Sequence, residues 1–525
     1  MSDTIHTIKR SAKSFFCGTM LSRISGMVRD VSMAYVFGTK PSVAAFMIAF
    51  RFAHLLRRLF GEGAMQSAFI PEFENLRLQN TQRAFTFFKD LILSVTFFLM
   101  LAILISCGLL YGALYYQLFD SSYNEVITLT IIMLPSLLFI CLFGLNASLL
   151  QCEKHYFIPS FAPVAFNLIW IISVLNLQSM PSDQAMIWLS GVVVLACLFQ
   201  WLFTFPQIWS ILKKNISVQF FKNIHLRSPD LKQLLTPLFL GILGISASQI
   251  NNAIDPIFAW HANEEGPAFL WYAMRIQQLP LALFGIALSG ALLPPLSRAL
   301  KNNRKAESIP LLQYAFQKTF VFILPLAAIL LVLGDIIIGL IYARGDFDIE
   351  SLVGTTYCLW AYNFGLIPCA LILILVPVFY AQSHFKMTTL ASFMNLGINI
   401  FLNTLFVFHF EWGATSVALA TSISAWVNLL FLMNYLNKKD FRLASKQNIQ
   451  QGVFYFLVTV TATIGTYVFR LFQKHYSVLN PELIFSASPL EKILSLTILT
   501  AIFGGIFLLG ILIINAVKKP INAET

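Results

Sequence analysis

The chain has little charge. Only 11% of its 525 residues are Asp, Glu, Lys or Arg, whereas soluble globular proteins carry about 25%. With 58% hydrophobic residues, including 50 phenylalanines, it lacks the polar surface of a water-soluble fold and the charge that keeps a disordered chain expanded. The composition predicts a protein that crosses a membrane several times.

Motifs for energy coupling or catalysis are also missing. The sequence contains no GxxxxGK[ST], HExxH or GxSxG pattern, which argues against an ATPase, a zinc protease or a serine hydrolase. The seven cysteines are odd in number and lack metal-ligand spacing, so we interpret them as small core hydrophobes. The polar segment Met1 to Lys13 precedes no small-residue cleavage site, so we expect the first helix to be retained.

Long uncharged runs dominate what is present. Twelve runs of at least sixteen residues contain no Asp, Glu, Lys or Arg. Because a spanning helix needs roughly twenty apolar residues and residues 12–75 have room for two more, we predict an all-α polytopic membrane protein of about fourteen transmembrane helices.

The positions of the 35 Lys and Arg residues predict the orientation. With a cytoplasmic N-terminus, the loops on that side hold 23 of them. The opposite loops hold five, namely Lys40, Arg344, Arg470, Lys474 and Lys492. Because an excess of basic residues marks cytoplasmic loops, both termini are expected in the cytoplasm. The same reasoning explains the net charge of +11 without a nucleic-acid partner.

The remaining basic residues fall inside predicted spans, where each costs about 2.5–3.5 kcal/mol on insertion scales. They are Arg23, Arg29, Arg51, Arg57, Arg58, Arg275 and Lys318. The alternatives to a ligand site are snorkelling to a helix end and pairing with Asp30 and Glu62, but two acids do not neutralise the five arginines between 23 and 58. We therefore predict that the first two helices line a hydrated cationic chamber.

Two glycines interrupt the second span. Gly61 and Gly63 flank Glu62, and backbone groups freed there need a cavity or protein neighbours. We predict that the two glycines bracket a hinge. The alternative is close packing against the first helix at Gly26.

The second helix has a partial copy later in the chain. Residues 49–61, AFRFAHLLRRLFG, align with 273–285, AMRIQQLPLALFG, so that Arg51 matches Arg275. Both helices are expected to run in the same direction. The repeats are therefore parallel, and the binding site is expected between the lobes.

Several motifs carry a family resemblance. LSRISGMVRD (21–30), LLRRLFGEGAMQSAFIPEF (55–73), FIPSFAPVAFN (157–167) and WYAMRIQQLP (271–280) resemble the signature of the MurJ/MviN family of lipid II flippases, in the multidrug/oligosaccharidyl-lipid/polysaccharide exporter superfamily. The resemblance implies a central cavity between two pseudo-symmetric six-helix lobes, an N-terminal lobe of helices 1–6 (1–215) and a C-terminal lobe of helices 7–12 (228–440). Helices 13–14 (447–517) would line a lipid-tail groove. It also implies an inner-membrane transporter of peptidoglycan synthesis and cell-shape maintenance. Lipid II and membrane lipids would be its ligands, cell-wall synthases are candidate partners, and a monomer is expected.

The resemblance also implies a substrate-binding set. Its members are Ser22, Arg23, Arg29, Arg57, Arg58, Glu62 and Arg275. We add Arg51 to this set because it lies inside a predicted span and matches Arg275 in the repeat. Guanidinium groups remain charged and grip phosphate oxygens bidentately, which suits the pyrophosphate of lipid II. A flippase for another polyprenyl-linked oligosaccharide is the main alternative, and an intramembrane enzyme or scaffold of cell-wall assembly is a weaker one. The chain departs from the family at Ala44 and Met274, which replace acids, and at Lys386.

A monovalent cation is a further hypothesis. Asp255 interrupts an apolar helix just before Pro256, and Asn395, Asn399 and Thr415 can add neutral oxygens. Such a set suits Na⁺. The alternatives are a protonated Asp255, its pairing with a base such as Arg275, and coupling to the membrane potential. No other cofactor is expected.

Overall fold

Apolar segments in lipid must satisfy every backbone N–H and C=O internally, and helices do so. A computed structural model describes residues 5–57, 64–215, 229–282, 305–382, 384–438, 446–472 and 480–521. Regular structure in these ranges is helical, which confirms the all-α prediction. The helices are α1 (Ile5–Phe37), α2 (Pro41–Arg57), α3 (Ala64–Gln79), α4 (Thr81–Tyr115), α5 (Asn124–Met133), α6 (Ser136–Cys152), α7 (Phe157–Phe161), α8 (Pro163–Asn176), α9 (Ser182–Asn215), α10 (Pro229–Ala262), α11 (Gly266–Pro280), α12 (Lys305–Ile341), α13 (Ile349–Phe364), α14 (Leu366–Ala381), α15 (Phe385–Thr404), α16 (Thr415–Lys438), α17 (Lys446–Phe472), α18 (Pro481–Ser486) and α19 (Pro489–Ile521).

Within these ranges, eight helical segments are long and apolar enough to cross a membrane. Two further spans are broken, each with a bend of 44°: α5 with α6, and α13 with α14. The chain is thus a multi-pass membrane protein. The count of fourteen helices stays a prediction.

The chain forms two compact units, Met1–Ile257 and Phe258–Thr525. In the first, α1 packs on α8, α2 on α5, and α6 on α9. In the second, α11 packs on α13, α13 on α16, and α17 on both α12 and α19. Each unit contains one of the two broken spans. The lobe boundaries at 1–215, 228–440 and 447–517 stay a prediction.

The first broken span bends at a proline. Pro135 has no N–H, so the carbonyl of Ile131, four residues earlier, loses its helical donor. The Sγ of Cys107 on α4 lies 3.9 Å from that oxygen and donates to it. A neighbouring helix therefore replaces the hydrogen bond that the proline removes.

The second broken span follows the same rule. Pro368 leaves the carbonyl of Phe364 without its helical donor, and the indole Nε1 of Trp426 donates to this oxygen at 2.9 Å. One turn away along α16, the Ser422 hydroxyl donates to the carbonyl of Ala361 at 2.7 Å. Side chains of α16 thus hold the break between α13 and α14.

Buried charges attach the C-terminal helices to α12. Arg470 of α17 is 0% exposed, and its Nη1 and Nη2 lie 3.0 and 2.6 Å from the carboxylate oxygens of Asp335. It also donates to the carbonyl of Val332. Lys492 of α19 is 4% exposed and donates to the carbonyl of Gly339 at 3.2 Å. The prediction that Arg470 and Lys492 lie in loops was therefore wrong, because both lie inside helices, where an acid and carbonyls of α12 compensate their charges.

The seven cysteines are free thiols. Cys141, Cys197 and Cys358 are buried, as expected of small core hydrophobes. Cys17 is exposed on α1, so the interpretation as core residues is wrong for this one.

Candidate functional site

A polar junction joins α1 to α8 in the first unit. The carboxamide Nδ2 of Asn167 donates to the Ser25 hydroxyl at 2.9 Å and to the Ser22 carbonyl at 3.3 Å. Its Oδ1 accepts a hydrogen bond from Nη1 of Arg29 at 3.3 Å. One side chain of α8 thus fixes two successive turns of α1. An added Cβ at Gly26, between these turns, would lie 3.7 Å from the same amide nitrogen.

Arg29 is the buried cation of this junction. It is 8% exposed, and its Nη2 and Nε donate to Oδ1 of Asp30 at 2.8 and 3.1 Å. Its Cζ lies 4.9 Å from the ring centroid of Trp170 and 6.0 Å from that of Phe166. A guanidinium over an indole face is attracted by the ring quadrupole. Arg29 is therefore held between one anion, one amide and an aromatic wall.

The aromatic wall continues into α2. The Trp170 ring contacts Phe46 and Phe50 edge to face, at centroid distances of 5.3 and 5.2 Å. Phe50 in turn stacks on His54 at 4.0 Å. The aromatic residues Phe46 and Phe50 of α2 therefore pack against Trp170 of α8.

Arg51 lies on α2 beside this wall and contacts α10. Its Nη1 donates to the backbone carbonyl of Asn252 at 3.0 Å. The next turn of α10 carries Asp255, which is 1% exposed, and Pro256. The sequence predicted a ligand-binding guanidinium here, and in this structure the group is bound to protein backbone.

In the second unit, Arg275 is half-buried on α11. Its Cζ lies 4.5 Å from the ring centroid of Trp271, one turn earlier on the same helix. Lys318 makes a similar contact on α12, with its Nζ 5.3 Å from the ring centroid of Tyr314. Both basic groups rest on aromatic faces of their own helices.

The structure brings together part of the predicted set. Ser22 and Arg29 meet at Asn167, whereas Arg23 is exposed on α1 outside this junction. Arg58, Gly61, Glu62 and Gly63 lie outside the described residues, and of Arg57 only the backbone is described. The sequence analysis missed Asn167 and Trp170 as site residues. The available signal was an amide and a tryptophan three residues apart in the largely apolar sequence of α8.

The three positions that depart from the family pattern differ in their exposure. Ala44 is 0% exposed on α2, so the acid of the family pattern would be fully buried at this position. Met274 is half-buried beside Arg275, and Lys386 is exposed at the start of α15.

The proposed cation ligands belong to both units, and each is described within its own unit. Asp255 is buried in the first. In the second, the Oδ1 of Asn399 accepts a hydrogen bond from Asn403 at 3.3 Å, and the Thr415 hydroxyl lies 4.0 Å from the Cys358 sulfur. The buried Oδ1 of Asn395 has no hydrogen-bond partner.

Comparison with known proteins gives a consistent result. The family model described as "Lipid II flippase MurJ" matches residues 33–485. A probable lipid II flippase MurJ of Chlamydia pneumoniae is 32% identical over 433 residues, covering 82% of this chain and 78% of the relative. That of Chlamydia muridarum is 30% identical over 524 residues, covering 99% and 95%.

Solved structures show the same fold. A lipid II flippase MurJ in an inward closed conformation superposes with a TM-score of 0.73 at 24% identity, covering 94% of this chain and 98% of that one. An inward-facing multidrug resistance transporter of the MATE family, from the MOP superfamily, superposes with a TM-score of 0.61 at 14% identity, covering 83% and 99%.

Proposed function

The chain belongs to the MurJ family of lipid II flippases, and from this membership we propose how it recognises and moves its substrate. It is a transporter and not an enzyme. It moves lipid II, the lipid-linked precursor of peptidoglycan, between the two leaflets of the membrane. We place it in the bacterial inner membrane, with transport from the cytoplasmic to the periplasmic leaflet by alternating access.

Arginines recognise the pyrophosphate of lipid II in this proposal. An anion crossing apolar surroundings needs compensating charge, and guanidinium forks supply charge and directed hydrogen bonds together. Arg23 and Arg29 of α1 and Arg275 of α11 take this role. The supporting observation is Arg29, whose buried guanidinium is pinned on an aromatic wall with a carboxylate as its present anion. Ser22, Arg57, Arg58 and Glu62 join the proposed site on the basis of the motif alone.

Substitution of the three arginines tests this role. Hydrogen bonds to charged groups contribute about 1.5–3 kcal/mol each, so each Arg→Ala change should lower flipping by roughly ten- to a hundred-fold. Arg→Lys should restore only part of it, because the fork is lost. Complementation of cells depleted of the protein and the amount of variant in the membrane are measured together.

The matched control for this series is Lys318→Ala, which removes a basic side chain of a candidate span that is not in the proposed set. It should complement normally. Normal growth with Arg23, Arg29 and Arg275 all replaced by Ala contradicts the proposal.

Leaflet-specific labelling of lipid II in depleted cells tests the function itself. Lipid II should accumulate in the cytoplasmic leaflet. If its distribution is unchanged while another polyprenyl-linked oligosaccharide accumulates, the substrate is that oligosaccharide. If the distribution is unchanged but synthesis of lipid II falls, the protein is an enzyme or scaffold.

The lipid tail also needs a path, and the last two helices offer one. Leu508, Leu512 and Ile513 of α19 and Phe456 of α17 are exposed apolar side chains. We propose that this surface carries the polyprenyl tail among the membrane lipids. The protein is further proposed to act as a monomer, with cell-wall synthases as partners because they consume the flipped precursor.

Sodium coupling is proposed on the chemistry of four side chains. Asp255 supplies a buried carboxylate, and Asn395, Asn399 and Thr415 supply neutral oxygens, a donor set that suits a hard monovalent cation. Transport in vesicles should rise with an inward Na⁺ gradient in the wild type and lose that response in Asp255→Asn. If neither the gradient nor the substitution changes the rate, Asp255 is structural; a response to voltage alone indicates coupling to the membrane potential.

A further inference from the structure

Pro256 leaves a gap in the hydrogen bonding of α10. In an α-helix each carbonyl accepts from the N–H four residues later, and proline has no N–H. The carbonyl of Asn252 therefore loses the donor that it would have in a regular helix, ten residues before α10 ends at Ala262. Backbone groups freed inside a membrane helix are usually paired with neighbouring helices, so another donor is expected for this part-buried carbonyl.

Arg51 provides that donor from another helix. Its Nη1 lies 3.0 Å from the Asn252 oxygen, although the two residues are 201 positions apart in the chain. The aromatic contacts of Phe50 with Trp170 and His54 fix the turn of α2 that carries Arg51. The packing of α2 thus places the Arg51 guanidinium beside the Asn252 carbonyl.

The same replacement occurs elsewhere in the chain, which argues against an incidental contact. At Pro368 the freed carbonyl of Phe364 accepts from the Trp426 indole at 2.9 Å. At Pro135 the freed carbonyl of Ile131 accepts from the sulfur of Cys107. In each case a side chain from a neighbouring helix donates to the oxygen four residues before the proline.

We propose that Arg51 is a positioning residue whose guanidinium supplies the hydrogen bond that Pro256 removes. It thereby holds to α2 the turn of α10 that precedes the buried Asp255. The role requires a hydrogen-bond donor that reaches Asn252 and does not require contact with substrate. The proposal is independent of the flippase assignment, because its effect is present in the protein without lipid II.

Restoring the missing donor tests the proposal. Pro256→Ala returns an N–H to α10 and removes the ring that clashes with the Asn252 carbonyl. Arg51→Ala should lower the thermal unfolding midpoint of the purified full-length protein. In the Pro256→Ala background the same change should leave the midpoint unchanged. Lipid II flipping, measured in cells, should follow the same pattern.

Pro368→Ala is the matched control, because it restores a donor to Phe364 in the second unit. It should not rescue Arg51→Ala. If Arg51→Ala lowers the midpoint equally in the wild-type and Pro256→Ala backgrounds, the proposal is wrong. That result leaves the flippase assignment intact as long as the wild type still moves lipid II in the leaflet assay.

A second comparison does not depend on Pro256→Ala folding well. Arg51→Gln keeps an uncharged N–H donor, and Arg51→Leu keeps apolar volume only. The positioning role predicts a higher unfolding midpoint for the Gln variant than for the Leu variant. Equal midpoints, together with loss of flipping in both, would instead assign Arg51 to binding of the substrate anion.

Discussion

Asn167 joins two helices through one carboxamide. It bonds to Ser22, Ser25 and Arg29 of α1, so its loss leaves a buried guanidinium without one of its acceptors. We expect Asn167→Leu to lower the free energy of unfolding by about 1–3 kcal/mol and to reduce flipping. Chemical denaturation and complementation measure the two effects.

The control for Asn167→Leu is Asn176→Leu, on the same helix. Asn176 is exposed and donates only to the carbonyl of Ile172, one turn earlier. Its replacement should change neither stability nor flipping. Equal effects at both positions would show that the junction has no special role.

Glu265 predicts a pH dependence of stability. It precedes α11, outside the spans, and its pKa is raised first by burial and then by repulsion from Glu350, Asp348 and Glu264. Because the folded-state pKa lies above the unfolded one, this group favours the folded state most at pH below the unfolded pKa, and that contribution is lost as pH rises through the folded pKa.

We therefore expect Glu265→Gln to raise the thermal midpoint at neutral pH and to have less effect in acid. The midpoint is measured from pH 4 to pH 8 for the wild type and the variant. Glu482→Gln, at an exposed position, is the control and should give parallel curves. A Glu265→Gln curve parallel to that of the wild type would contradict the prediction.

Single residues could be predicted from the sequence where the free-energy cost of placing them in lipid does not depend on a distant partner. A basic group inside a predicted span is visible in the sequence, so Arg29 was identified as an unusual charge, and its predicted place in a hydrated chamber stays a prediction. Arg470 was misplaced because its compensating acid, Asp335, lies 135 residues away on another helix. A charge that ends an apolar run looks like a loop residue until the partner is known.

At the scale of helices, the Asp335–Arg470 pair attaches α17 to α12. Removing one partner leaves the other charge buried, which costs about 3–5 kcal/mol. We expect Arg470→Ala to lose that much stability, and Asp335→Leu with Arg470→Leu to recover most of it. Arg344→Ala, at an exposed arginine, is the control. A double variant no more stable than Arg470→Ala would contradict this assignment.

The predicted hinge at Gly61 and Gly63 lies outside the described residues and stays a prediction. Ala at both positions should raise or preserve the unfolding midpoint, since Gly→Ala in a compatible backbone stabilises by about 0.4–1 kcal/mol, while slowing flipping. If Gly61 and Gly63 instead serve close packing against Gly26, the unfolding midpoint of the double variant should fall. Gly108→Ala is the control, because an added Cβ there meets no atom within 4 Å. Wild-type flipping by the double variant would contradict the hinge.

Helices were predictable from uncharged runs, but their breaks were not. Residues 126–152 form a single uncharged run, yet the helix bends at Pro135. Whether a proline bends a membrane helix depends on which hydrogen-bond donors other helices offer to the freed carbonyl, as Trp426 does for Phe364. Those donors are defined only by tertiary packing.

For the whole molecule, the orientation is the main open prediction. The 23 basic residues in loops on one side predict that both termini are cytoplasmic. Green fluorescent protein fused after Thr525 should fluoresce, and alkaline phosphatase at the same position should be inactive. Phosphatase inserted after Asp346, in a predicted external loop, is the positive control. An active C-terminal phosphatase would contradict the orientation.

Class and family were predictable because they depend on composition and on motifs spread along the whole chain. The set of site contacts was less predictable. The free-energy cost of Arg51 in lipid led to its placement in a ligand site, whereas its hydrogen bond to Asn252 depends on where α10 lies in the fold. Repeats and motifs indicate which residues are unusual, and the fold determines what these residues contact.

The carbonyls that prolines leave without helical donors also matter during synthesis, because each carbonyl and its replacement donor are made at different times. A ribosome makes Cys107 before Pro135 and Arg51 before Pro256, so those donors are already in the membrane when the freed carbonyls arrive. Trp426 is made 58 residues after Pro368, and its partner carbonyl enters the bilayer first. The second broken span must therefore remain hydrated, or sheltered by the insertion machinery, until α16 emerges.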